Sequence, residues 1–154
     1  MKNVLILIML CISDIEAVTA NELMGKWQTV TQSQDNGALI VEKENLILNS
    51  NHTFAIVIFV SLEKGDAFIK DLRIEASGIW KNRDNMLVAV VQKVEVPFAK
   101  EIYLISQESL RNFANNFKNQ YENEPIRISV IKTMDANKMT TINENLREST
   151  YTRY

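Results

Sequence analysis

Short apolar segments separated by clusters of Asn, Asp and Ser, at nearly regular intervals, constrain this chain more than any other feature. With only 4 Gly and 2 Pro in 154 residues, turns fall to residues whose side chains hydrogen-bond their own backbone. Strands are predicted over residues 25–32, 39–48, 53–62, 72–80, 86–94 and 99–105. The turns between the first five are Ser33-Gln34-Asp35-Asn36-Gly37, Asn49-Ser50-Asn51-His52, Glu63-Lys64-Gly65-Asp66 and Lys81-Asn82-Arg83-Asp84-Asn85. The polar interruption at 42–45 reads as a bulge. Residues 72–80 alternate, with Leu72, Ile74, Ala76 and Trp80 on one face and Arg73, Glu75 and Ser77 on the other. Pro97 marks a break, because it cannot donate to a ladder.

The period then changes. Leu110, Phe113, Ala114, Phe117 and Tyr121 recur at three- and four-residue spacing, which predicts a helix over 107–121. Ser106 can cap it, Glu108 suits the positive end of its dipole, and Pro125 blocks its continuation. The opposite face is rich in Asn, a poor helix former, so this helix forms because its aromatic face docks. Three more strands follow, over 126–134, 138–143 and 149–153. About eight or nine short strands at this spacing predict a mainly β fold: an antiparallel up-and-down β-barrel with one amphipathic helix packed on it. Two strands, 54–60 and 87–91, are apolar on both faces. Period-two geometry puts Phe54, Ile56 and Ile58 on one face of the third strand and Ala55, Val57 and Phe59 on the other. One face should look into the barrel. The other needs a cover, and the expected cover is the helix with Phe113 and Phe117, or else a second copy of the chain.

The N-terminus reads as a secretory signal over residues 1–20, ahead of a single domain over 21–154. Lys2 supplies the positive start, residues 4–12 are an apolar run too short to span a bilayer, and Val18 and Ala20 fit an A-x-A-like cleavage site. Periplasmic or secreted localisation follows, with cleavage near Ala20. No later stretch is long and apolar enough for a transmembrane helix, so an integral membrane protein is not expected. Removing residues 1–20 takes away Lys2, Asp14 and Glu16 and moves the net charge from −2 to −1. A balanced surface argues against nucleic acid, which needs a basic stripe. The single cysteine, Cys11, leaves with the signal, so neither a disulfide nor a Cys-ligated metal site is expected.

Four short stretches together resemble a bacterial lipocalin-like (calycin) domain: Gly25-Lys26-Trp27 at the mature start, Asn49-Ser50-Asn51-His52-Thr53-Phe54, Ser77-Gly78-Ile79-Trp80, and Tyr151-Thr152-Arg153 at the end. The matches are scattered over most of residues 21–154. The resemblance implies a barrel with the signature Gly25, Trp27 and Arg153, in which Trp27 closes one end and the Arg153 guanidinium stacks on its indole. In typical lipocalins the helix precedes one strand and a disulfide is common. Here the helix precedes three strands and the mature chain has no cysteine.

Candidate functional residues are few. Phe54, Ile56, Ile58 and Trp80 are the expected interior or pocket lining, and Trp80 also reads as core. Leu110, Phe113, Phe117 and Tyr121 form the expected docking face of the helix. His52 sits in a hairpin turn with no nucleophile or orienting partner in sequence. Asn51-His52-Thr53 is also a glycosylation sequon, relevant only in a eukaryotic secretory pathway. Glu42 and Glu44 share a strand face, and Asp66 and Asp71 flank a turn; both pairs read as solvated surface, without calcium-loop or glycosidase patterns. No catalytic residue, cofactor or metal is expected. Two readings of function stay open. One is a non-enzymatic exported barrel binding a small apolar ligand inside. The other is a surface-mediated interaction or inhibitor module, with a homodimer as one form.

Overall fold

The computed structural model describes residues 17–96, 99 and 101–154. The apolar run of the signal, Cys11 and the Pro97 break lie outside the described residues. The chain runs α1 (Ala20–Leu23), β1 (Gly25–Asp35), β2 (Ala38–Leu48), β3 (Thr53–Lys64), β4 (Ala67–Arg83), β5 (Met86–Glu95), β6 (Glu101–Tyr103), α2 (Gln107–Asn123), β7 (Ile126–Met134), β8 (Lys138–Asn143) and β9 (Glu148–Arg153). Strands β1 to β5 pair antiparallel in sequence order. Pairing continues from β5 to β7, β8 and β9, and β9 returns to β1. The result is a closed eight-stranded antiparallel barrel, with β6 added on the flank of β4. Closure removes the sheet edges that would otherwise template association.

Most elements fall where turn chemistry and alternation place them, and the exceptions have local causes. Strand β1 continues through residues 33–35, expected as loop, because Ser33, Gln34 and Asp35 pair with Ile40, Leu39 and Ala38. The turn tightens to Asn36-Gly37, both at positive φ, the pattern of a two-residue hairpin. No bulge interrupts β2 at 42–45; Glu42 and Glu44 keep register with Thr31 and Thr29. Register shifts lie elsewhere, one of them between β3 and β4, where Lys70 and Asp71 stand opposite the single Ser61. There Asp71 has φ 50 and its N–H donates to Ser61 Oγ at 3.1 Å. Beyond this bend, the end of β3 stays paired with β2, the start of β4 takes β6 on its other side, and Phe68 stacks on Tyr103 at 5.7 Å.

One end of the barrel is packed solid. Leu23, Trp27, Leu48, Phe54, Trp80, Ile131 and Met139 are all buried there. Helix α1 seals this end through a capping box: Thr19 accepts from Glu22 N–H, and the Glu22 carboxylate accepts from Thr19 N–H at 2.7 Å. Trp80 ties in the β2–β3 hairpin, its N–H donating to His52 O at 2.8 Å and its Nε1 to Asn49 O at 3.1 Å.

Helix α2 closes the other end, and here an expectation is corrected. Its apolar face does not lie over Ala55, Val57 and Phe59 on the outside of β3. Leu110, Phe113, Ala114, Phe117 and Tyr121 pack against the interior core, and Phe117 and Tyr121 share a cavity with Ile56 and Ile58. The outer face of β3 is half-buried beside long side chains of its neighbours. Lys43 and Arg73 pair across from Phe59, Asn45 and Glu75 across from Val57. The Arg73 guanidinium lies 5.9 Å from the Phe59 ring centre and pairs with Glu75 at 2.6 Å. Snorkelling stems do the covering that a helix was expected to do. Among the described residues no helix is long and apolar enough to cross a membrane.

Candidate functional site

Inward-facing positions set up two zones. At the sealed end Trp27 is fully buried and donates from Nε1 to Leu23 O at 2.8 Å. The Arg153 guanidinium lies over the indole, 4.0 Å from its centre. Each of its three nitrogens donates once: Nη1 to Met24 O at 2.6 Å, Nη2 to Glu22 O at 2.7 Å and Nε to Ala136 O at 2.8 Å. The carbonyls at the end of α1 thus meet a cation, the favourable pole of that helix end. Gly25 makes room for this, since a Cβ there would collide with Arg153 Nη1. Trp27 and Arg153 thus form a structural plug at this end. Double-mutant analysis by urea unfolding is expected to give a coupling of about 0.5–2 kcal/mol between Trp27→Phe and Arg153→Met. Additive effects would show that the stack contributes nothing.

Between the plug and α2 lies a cavity of about 470 Å³. Leu46, Leu48, Ile56, Ile58, Leu87, Ala89 and Met139 give it an apolar floor and wall, and Phe117 of α2 faces them. Phe54 and Trp80 do not reach it; they belong to the packed end. The rim is formed by Gln120 and Tyr121 of α2 and by the β8–β9 turn with Asn143, Glu144, Asn145 and Arg147. Glu144 Oε1 fastens that turn to β7 by accepting from Ile128 N–H at 2.6 Å.

A band of polar side chains crosses the cavity. Glu42 and Glu44, expected on the surface, line the interior with Thr29, Thr31, Arg127, Ser129, Thr141 and Tyr151. The correction has a simple cause. Glu42 and Glu44 continue the same period-two face as Leu46 and Leu48. Tyr151 on β9 reaches across β1 and donates its hydroxyl to Glu44 Oε1 at 2.9 Å. Arg127 on β7 lays its guanidinium 4.7 Å from the Tyr121 ring centre, a favourable cation–π contact.

Electrostatics follow from this placement. Burial, then the charge of Glu42, holds the Glu44 carboxyl above its ordinary 4.5, against the Tyr151 hydrogen bond and Arg127, which act the other way. The Tyr151 phenol is pushed well above its usual range, first by burial and then by the charge of Glu44. Tyr121 moves up for the same two reasons. A carboxyl raised in the folded state binds more protons there than in the unfolded chain. Stability therefore falls as pH rises from 4.5 through the raised value, and the loss is complete above it. Glu44→Gln keeps an acceptor for Tyr151 and removes the penalty. Thermal melts at about pH 7 should show it more stable than the parent, with the gain vanishing near about pH 4. An equal gain at both pH values would contradict the assignment.

His52 lies outside the cavity, exposed on the β2–β3 hairpin at φ 61, with its ring 5.1 Å from that of Trp80. Asp66 is exposed, and Asp71 belongs to the β4 bend. Among the described residues no group of three or more His, Cys, Asp or Glu could hold a metal ion. No family model matches the chain, and no curated protein matches it.

Proposed function

We propose that this protein is an exported, non-enzymatic lipocalin-like barrel that holds one small, largely apolar molecule in its interior. The observation that carries the reading is the cavity of about 470 Å³, sealed below by the Trp27 plug and roofed by α2. Its volume, and an aliphatic floor set below a polar band, suit a small ligand with an apolar body. Helix α2 has no fully buried residue, so its docking is shallow enough to let a ligand pass beneath it. The test is native purification, organic extraction and mass spectrometry, together with uptake of the neutral probe N-phenyl-1-naphthylamine. The reading expects a near-stoichiometric molecule or saturable probe fluorescence. Neither appearing would overturn it.

Export rests on the N-terminal pattern, and the seal bears on where cleavage falls. Val18 O accepts from Asn82 Nδ2 at 2.7 Å, and Thr19 caps α1. A cut after Ala20 would discard both contacts. A cut ahead of Val18 would keep them, and N-terminal sequencing of the exported protein distinguishes the two.

The second reading, a surface interaction module, is favoured by one feature. Met86, Ile126, Ile128 and Val130 are exposed in register on the outer face of β5 and β7, beside Val88 and Val90. Light scattering tests it: a dimer in the parent that becomes a monomer in Ile128→Lys would promote this reading, and a monomeric parent would demote it.

A further inference from the structure

We propose that the polar band of the cavity selects a neutral, dipolar head group, one that offers an acceptor to Arg127 and a donor to Glu44, as a carboxamide on an apolar tail does. The proposal rests on the reading of the barrel as a small-molecule carrier and specifies which molecules it takes.

Arg127 supplies the donors. Its position opposite Ala89 on β7 turns it inward, and it lines the cavity. Its Nε is sealed from solvent and has no acceptor. Among the described residues its guanidinium has no hydrogen bond or ion pair, only the contact with Tyr121. The terminal amino groups are the part of this fork left for the cavity. A guanidinium left without acceptors is an incomplete site, since its donors are aimed and costly to leave unmatched. Glu44 is incomplete in the complementary sense. One carboxylate oxygen accepts from Tyr151, and the other has no partner among the described residues.

The two charges are near enough for Arg127 to favour the Glu44 carboxylate, yet Glu42 adds a second negative charge beside it. At the rim, Glu144 is engaged by Ile128 N–H, and Arg147 is exposed. A carboxylate head would satisfy Arg127 and meet the repulsion of Glu42 and Glu44. An ammonium head would satisfy Glu44 and meet Arg127. Either would also surrender its hydration on entry, for which the one favourable partner it meets does not compensate. A carboxamide presents C=O and N–H₂ side by side, meets both partners and brings no charge. The aliphatic floor from Leu46 to Met139 then takes its tail.

The experiment is displacement of N-phenyl-1-naphthylamine by decanamide, decanoate and decylamine, which share a tail and differ in head. Decanamide is expected to bind about tenfold more tightly than either charged analogue. Arg127→Met should abolish that preference and move the ranking toward decylamine, and Glu44→Gln should move it toward decanoate. Tightest binding of decanoate or decylamine to the parent would overturn the proposal, and that ranking needs no variant to fold. A decanamide preference that survives in both variants would overturn it as well. Failure of the probe itself to bind would instead remove the carrier reading, and the head-group proposal with it.

Discussion

Trp27→Ala is expected to destabilise the protein by about 3–5 kcal/mol, a large share of the roughly 5–15 kcal/mol that holds an ordinary domain. The indole is fully buried among Leu23, Leu48 and Met139 in the sealed end. Its removal leaves a void that the barrel wall cannot collapse into, because eight closed strands fix the wall's diameter. It also orphans Leu23 O, the acceptor of Nε1, and takes away the surface on which Arg153 rests. The check is a urea titration. The midpoint should fall with the slope unchanged, as for loss of stability without a change in the surface exposed. A shift equivalent to less than about 1 kcal/mol would mean that the plug is not a structural keystone.

Gly78→Ala should act on the wall itself. Gly78 stands where β4 and β5 shift register, between Ser77 and Gly78. A Cβ there would run into the carbonyl oxygen of Val90 and come within 3.0 Å of Phe54 Cε1. Backbone on one side and a buried ring on the other leave it nowhere to go. Overpacking of this kind typically destabilises by about 1–3 kcal/mol, and contact with backbone places the change at or above the upper end. Thermal unfolding would show the loss. A variant as stable as the parent would mean that β4 and β5 separate here without penalty.

The barrel was legible because alternation and turns are local. In β4, the alternation of Leu72, Ile74, Ala76 and Trp80 against Arg73, Glu75 and Ser77 gives the buried face directly. The pairing of Trp27 with Arg153 came from the resemblance alone, since nothing in the local pattern of either strand joins residues this far apart. The polar half of the cavity was not legible. Glu42 and Glu44 were expected outside on the ground that carboxylates avoid interiors. Their parity with Leu46 and Leu48 was the available signal, and in a barrel that leaves space at its centre parity outweighs polarity. Tyr151 was missed because its partner is distant in sequence: Glu44 is 107 residues away. Arg127 was missed because it stands among the polar residues of a strand expected to show them to solvent, and only its register opposite Ala89 turns it inward. The position of α2 was half legible. Its aromatic face required a partner, but periodicity cannot say whether that partner lies outside a strand or across the mouth of the barrel.

A ligand inside the barrel, beneath α2, is what the proposed carrier role requires. The most direct measurement is NMR of protein labelled at the isoleucine methyl groups and titrated with N-phenyl-1-naphthylamine. Ile56 and Ile58 line the cavity, whereas Ile126 and Ile128 are exposed on the outer strip. Interior binding predicts saturable shifts and probe-to-methyl contacts at Ile56 and Ile58, with Ile126 and Ile128 unmoved. Contacts confined to Ile126 and Ile128 would contradict it and place binding on the outer face.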